Sequence, residues 1–170
     1  MFLDRDGVIN RVILRRGRPH SPGALKEFKY LPRVGEAIEA LREAGFKVVV
    51  VTNQPDVGAG KHSRRSVEAM NKRMRGEFRL DAVKVCYHTE EDRCACRKPK
   101  PGLLREAAKE CKIDLKKSFM VGDRWRDIEA GKAAGCKTVW IKSHYREKKV
   151  KGPDFTADSL WEASHWILEN

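Results

Sequence analysis

The chain has no long hydrophobic run, and its longest aliphatic block is Val48 to Val51. A helix needs about 20 apolar residues to cross a bilayer, so no membrane span is expected. The N-terminus lacks the basic segment and apolar run of a secretory leader, which makes the cytoplasm the expected location. Aromatic residues are sparse, at 8%, and offer little on which nucleic-acid bases could stack. The five cysteines, an odd number with three of them clustered, do not form a disulfide framework. In a reducing compartment such a cluster more often binds metal. Internal repeats and low-complexity segments are absent. No gap between candidate elements is long enough to hold a large second unit, so residues 1–170 are read as one domain.

Acidic residues are in deficit: 24 Asp and Glu face 36 Lys and Arg, for a net charge of +12. Residues 11–33 hold seven basic side chains against one acidic, and residues 61–79 hold seven against two. An anionic substrate or a nucleic acid is the functional explanation. A solvated basic surface explains the same charge at least as well.

What is present is alternation. Met1 to Leu3 is a short apolar strand. Residues 11–31 are broken by Gly17, Pro19, Pro22 and Gly23 into a short hairpin or flap and a loop. Arg33 to Ala44 carries Val34, Ala37, Ile38 and Leu41 at helical spacing. Lys47 to Thr52 reads as a buried strand, 55–62 as a loop, and the stretch from Ser63 or Ser66 to about Phe78 as a helix. Ala82 to Val85 is a third strand. A helix opens at Pro101 and runs through Cys111, and Phe119 to Val121 is a fourth strand. A helix to about Ala134, a strand over Thr138 to Ile141, a basic loop over 142–157 and a closing helix from Ser159 to Leu168 follow. Strands alternating with helices call for an α/β, Rossmann-like parallel sheet with helices on both faces. Chemistry in such sheets gathers at the carboxyl ends of the strands.

The polar residues that stand out lie at those ends. Asp4 and Asp6 follow the first strand, and at i and i+2 on extended backbone both carboxylates point the same way. Two such charges need a cation between them or a proton on one. A hard divalent ion such as Mg²⁺ is the natural solution, with one Asp free as nucleophile and the other as proton carrier. An Asx turn after an edge strand is the bland alternative. Thr52, Lys98, Asp123 and Asp127 complete a set drawn from several strand ends; singly each could be an ordinary strand-end or surface residue. Cys86-x-His88 and Cys94-x-Cys96 supply three thiolates and an imidazole, a donor set that suits a closed, structural, tetrahedral Zn²⁺ site. The loop they span has little apolar content, so metal would replace a core. Cys111 and Cys136 fall on apolar faces and read as core.

Asp4-Arg5-Asp6-Gly7, Val51-Thr52-Asn53-Gln54, Arg97-Lys98-Pro99-Lys100-Pro101-Gly102 and Val121-Gly122-Asp123 with Asp127 resemble the four motifs of the haloacid dehalogenase-like phosphohydrolases. The match runs from Phe2 to about Ile141. Within that superfamily the chain is most similar to the heptose 1,7-bisphosphate phosphatases and the histidinol-phosphate phosphatases, which share the zinc loop before Arg-Lys-Pro. The resemblance implies a capless domain with a zinc-stabilised loop. It implies that Asp4 attacks phosphorus and that Asp6 serves as acid and then base. Mg²⁺ would be held by Asp4, the Asp6 carbonyl and Asp123, with Asp127 supporting its water shell. Thr52 and Lys98 would stabilise the transferred group, and Asn53, Gln54, Arg97 and Arg124 would contact substrate. Many relatives have lysine where Arg124 stands.

An open basic site favours a substrate with more than one negative charge; a sugar bisphosphate is the expected substrate and a monomer the expected state. Histidinol phosphate or another small monoester is an alternative, and a nucleic-acid 3′-phosphate end a more distant one. Residues 11–24, rich in arginine and proline, depart most from the heptose enzymes.

Overall fold

The computed structural model describes residues 1–170. Six strands form one sheet in the order β5-β4-β1-β6-β7-β8, with every neighbouring pair parallel. The central strand β1 (Phe2–Leu3) lies between β4 (Val49–Asn53) and β6 (Phe119–Gly122). β5 (Ala82–Cys86) closes one edge; β7 (Lys137–Ile141) and β8 (Phe155–Ala157) extend the other. A separate antiparallel hairpin pairs β2 (Ile13–Arg15) with β3 (Arg18–His20). The chain runs outward from β1 on one side and later returns to its other side. The carboxyl end of β1 is therefore the switch point, where a crevice opens in such sheets.

Period-two alternation splits the core between the two faces of the sheet. Phe2, Val49, Val51 and Met120 pack against Leu103, Leu104 and Ala107 of α4 (Gly102–Cys111) and Ala130 of α5 (Trp125–Ala134). Leu3, Val50, Val121 and Val139 face the other way. They meet Ile38 and Leu41 of α1 (Val34–Glu43), Val67, Met70 and Met74 of α3 (Arg64–Glu77) and Ile167 of α6 (Leu160–Leu168). Met70 and Met74 are core filler, as their spacing suggests. A two-residue central strand suffices because Phe2 and Leu3 are fully buried between two neighbours, and the Asp4 amide extends the ladder to the Val121 carbonyl at 2.9 Å. No helix is long and apolar enough to cross a membrane.

Two stretches read as loops are more ordered than expected. Pro55–Gly58 is one helical turn, α2, where Pro55 suits the first position. Residues 142–157 end in β8, which pairs Phe155 with Val139 and Ala157 with Ile141. Three residues after a basic run are too few for a period to show. Asp154 fixes the register instead, accepting from the Thr138 amide and hydroxyl at 2.7 Å each.

Candidate active site and metal centres

Lys98 sits 2% exposed, with its ammonium 2.9 Å from Asp4 Oδ1, 2.6 Å from Asp127 Oδ1 and donating to the Val51 carbonyl at 2.7 Å. Its three donors are thus fully used. Burial works against its charge, but Asp127 and then Asp4 outweigh it and raise its pKa. Asp4, Asp123 and Asp127 each present an oxygen within 4.8 Å of the others. Asp4 is pushed up to about 6, first by burial and then by the Asp127 charge. Asp123 is pushed well above the usual carboxylate range by burial, then by Asp4 and Asp127. One lysine does not balance three buried carboxylates, and a divalent cation among them would.

Two glycines make room for this packing. Gly7 has φ +90°, and a Cβ there would lie 1.8 Å from Asp123 Oδ2. A Cβ at Gly122 would lie 2.1 Å from the Cβ of Asp127. Both positions therefore exclude any side chain.

Asp6 is held by five donors. Arg5 Nε and Nη2 donate at 3.2 and 3.0 Å, Asn10 Nδ2 at 2.8 Å, Ser21 Oγ at 2.9 Å and Gln54 Nε2 at 2.7 Å. Burial opposes its charge, but the Arg5 guanidinium and the Asn10 amide outweigh it and hold its carboxyl below the usual carboxylate range. Arg5 itself has no exposed surface; its Nη1 donates to Asn71 Oδ1 of α3 at 2.8 Å.

Thr52 Oγ1 accepts from Gln54 Nε2 at 3.0 Å, which leaves its hydroxyl proton free to donate elsewhere. Asn53 spends both ends of its amide on the Lys98 backbone, at 3.0 and 3.1 Å. Gln54 Nε2 serves both Asp6 and Thr52, while its Oε1 is buried without a hydrogen-bond partner. Both residues, expected at the substrate, are engaged in holding Lys98 and Asp6 in place. Arg124 forms a fork with Glu147, donating from Nε at 3.0 Å. Arg97 Nη1 donates to the His88 carbonyl at 3.2 Å.

Asp4, Asp6, Thr52, Asn53, Lys98 and Arg124 line a narrow cavity of 40 Å³, together with His20, Ser21 and Arg126. A wider groove, 640 Å³, lies between the hairpin and the N-terminus of α6. It borders this centre at Gly7, Val12, Ser143 and Tyr145, and none of the carboxylates around Lys98 line it. The candidate residues gather at the smaller cavity.

The second cluster lies on the loop after β5. Cys86, His88, Cys94 and Cys96 converge, with Sγ–Sγ separations of 3.3, 3.4 and 3.7 Å. His88 Nδ1 lies 3.3 Å from Cys96 Sγ and 3.6 Å from Cys86 Sγ. Four soft donors at that spacing could hold a metal ion. Cys94 is lowered to about 7: burial works upward, but hydrogen bonds from Cys96 and from the Arg97 amide outweigh it.

Sequence reasoning did not single out Arg5, Ser21, Arg126 or Tyr145. Arg5 had a signal, since a charge between two neighbouring carboxylates must either leave the site or pair with one of them. Ser21 and Tyr145 lie in segments without a motif, and only the fold brings them in.

A HAD-hydrolase-like family model matches residues 95–163. The chain is 35% identical to the D-glycero-beta-D-manno-heptose-1,7-bisphosphate 7-phosphatase of Helicobacter pylori strain J99, over 98% of this chain and 95% of that protein. It is 38% identical to the enzyme of the same name from Rhodopseudomonas palustris, over 79% of this chain and 78% of that one. Among solved structures, the D,D-heptose 1,7-bisphosphate phosphatase of B. bronchiseptica, complexed with magnesium and phosphate, superposes with a TM-score of 0.84 at 28% identity, covering 99% of this chain and 97% of that one. With the buried carboxylate–lysine centre and the four-donor loop, these similarities define the family: the chain belongs to the haloacid dehalogenase-like phosphatases, among the relatives of the heptose-bisphosphate 7-phosphatases.

Proposed function

We propose that the protein is a magnesium-dependent phosphomonoester hydrolase that removes the C7 phosphate of D-glycero-D-manno-heptose 1,7-bisphosphate through an aspartyl phosphate on Asp4. One observation carries this: Asp4, Thr52 and Asp123 meet at the carboxyl ends of adjacent strands, with Lys98 on Asp4 Oδ1. The Arg5 amide also falls on Oδ1, at 2.8 Å, so Oδ2 is the oxygen left to attack.

Asp4 Oδ2 attacks phosphorus, and the bond from phosphorus to the sugar oxygen breaks. Asp6, which must first take up a proton against its Arg5 and Asn10 contacts, gives that proton to the oxygen. Water then attacks the aspartyl phosphate while Asp6 takes its proton. The bond to Asp4 breaks, inorganic phosphate leaves and the carboxylate is restored. Thr52 and Lys98 stabilise charge on the transferred oxygens. Asn53 and Gln54 act by holding Lys98 and Asp6; Arg97 and, once released from Glu147, Arg124 would meet the rest of an anionic substrate.

Asp123 Oδ1 is buried with no hydrogen-bond partner, a costly state that a cation relieves. Asp4, Asp123 and the Asp6 main-chain carbonyl would hold Mg²⁺, and Asp127, already engaged by Lys98 and the Arg124 amide at 3.0 Å, would support its water shell. When bound, the ion offsets the charge of carboxylates and phosphate together. Cys86, His88, Cys94 and Cys96 fit Zn²⁺: tetrahedral thiolates at about 2.3 Å from zinc lie roughly 3.8 Å apart, close to the separations found. Zinc there would be structural, and the four residues would through it hold the loop that carries Arg97 and Lys98 in place. Thiols that must stay reduced to bind metal suit the cytoplasm, and the protein is proposed to act as a monomer.

The test is phosphate release with Mg²⁺ from both anomers of heptose 1,7-bisphosphate, fructose 1,6-bisphosphate, histidinol phosphate and a 3′-phosphorylated oligonucleotide. A marked preference for a heptose anomer is expected. A preference for histidinol phosphate would keep the chemistry and overturn the substrate. Oligonucleotide activity that falls steeply with salt would overturn it in favour of nucleic acid.

A further inference from the structure

Beyond β7 the chain runs Ser143-His144-Tyr145-Arg146-Glu147. Ser143, Tyr145 and Glu147 are half-buried, while His144 and Arg146 are exposed. That is the alternation of extended backbone, and it turns three polar side chains toward the end of β6. Ser143 Oγ donates to the Asp123 carbonyl at 2.7 Å, and Trp140 Nε1 joins it at 3.1 Å. The Tyr145 hydroxyl donates to Asp123 Oδ2 at 2.6 Å. Glu147 grips Arg124, and the Arg146 amide ties the segment to the Gly17 carbonyl in the hairpin turn at 2.9 Å.

The two oxygens of Asp123 are therefore unequal. Oδ2 is taken by a phenol. Oδ1 is buried and without a partner, beside Asp4 and Asp127. A carboxylate held in this way offers a cation one oxygen. Ca²⁺ favours high coordination numbers and often takes both oxygens of a carboxylate, whereas Mg²⁺ takes six ligands in tight octahedral order and binds carboxylates through single oxygens. Partners that orient a ligand tune a metal site nearly as strongly as the ligands themselves.

We propose that Tyr145 is a positioning residue that restricts Asp123 to one oxygen and so sets the site for Mg²⁺ against Ca²⁺. The inference rests on the reading of these carboxylates as a cation site, and it does not depend on the substrate. Tyr145→Phe keeps the ring and removes only the hydroxyl, freeing Oδ2.

The experiment is isothermal titration of Mg²⁺ and of Ca²⁺ into the zinc-loaded full chain without substrate, for the wild type, Tyr145→Phe and His144→Ala. Wild type should prefer Mg²⁺. Tyr145→Phe should weaken Mg²⁺ binding roughly tenfold and shift the Mg²⁺/Ca²⁺ affinity ratio toward Ca²⁺; Ca²⁺ should then inhibit Mg²⁺-supported turnover at lower concentration. His144→Ala, on the exposed side of the same segment, should leave the ratio unchanged. An unchanged ratio in Tyr145→Phe would overturn the proposal, as would an equal shift in His144→Ala, which would mark general loosening of the loop. Wild type that binds neither ion would overturn the cation reading and the proposal with it. Selective binding without hydrolysis of any tested ester would leave Tyr145 in this role and count against the phosphatase reading alone.

Discussion

Lys98→Met removes the one ammonium from the centre while keeping most of the apolar stem. At an effective dielectric near 20, a charge pair at the observed 2.6 and 2.9 Å is worth about 6 kcal/mol before desolvation. Burying the ammonium costs several kcal/mol and cancels much of the two pairs. What the substitution leaves behind decides the sign: Asp4 and Asp127 stay buried next to Asp123 with no compensating cation. Breaking a buried pair from one side in this way costs about 3–5 kcal/mol. A domain stable by about 5–15 kcal/mol would survive, but with a much earlier urea midpoint. Urea unfolding followed by far-UV circular dichroism, at pH 8 and without added Mg²⁺, reads this directly. In excess Mg²⁺ the deficit should shrink, because the ion replaces part of the lost charge. Turnover should fall roughly 10²–10³-fold. A loss below about 0.5 kcal/mol, the range of an ordinary surface change, would refute the claim that Lys98 balances these carboxylates.

Other substitutions separate chemistry from scaffold. Asp4→Asn should abolish phosphate release while circular dichroism shows a cooperative fold; turnover near wild type would remove Asp4 as nucleophile. Cys94→Ser should lower zinc content by elemental mass spectrometry and speed hydrogen exchange over residues 86–98. Gly7→Ala combines a left-handed backbone with a Cβ placed on Asp123 Oδ2; Mg²⁺ binding by calorimetry should be lost even where the protein still folds. Asp154 lies below the usual carboxylate range: burial works upward, but the Thr138 hydroxyl and amide outweigh it. Its contribution should be fully present above its ordinary pKa near 4 and fade as pH falls through the lowered value, an acid-side loss that Asp154→Asn should abolish in pH-dependent melts.

Much of this was legible in the sequence, for physical reasons. Buried parallel strands announce themselves as unbroken aliphatic runs such as Val48 to Val51, and amphipathic helices through stripes such as Val34, Ala37, Ile38 and Leu41. The cysteine–histidine loop was legible because its four donor residues lie within eleven residues of one another. Asn53 and Gln54 show where residue-level reading stops. Their positions mark them as site residues, but only the fold shows that their amides are spent on Lys98, Asp6 and Thr52. β8 and Tyr145 were illegible for another reason. Phe155–Ala157 is too short to show a period, and Tyr145 reaches Asp123 from 22 residues away, across a segment without a motif.

The central claim is that the phosphoryl group passes through Asp4. Single-turnover hydrolysis quenched in acid, followed by borohydride reduction and peptide mapping, converts an aspartyl phosphate to homoserine at the residue that carried it. Homoserine at position 4, dependent on Mg²⁺ and absent from Asp4→Asn, is the expected result. Full turnover with no modified residue, or modification elsewhere, would contradict it.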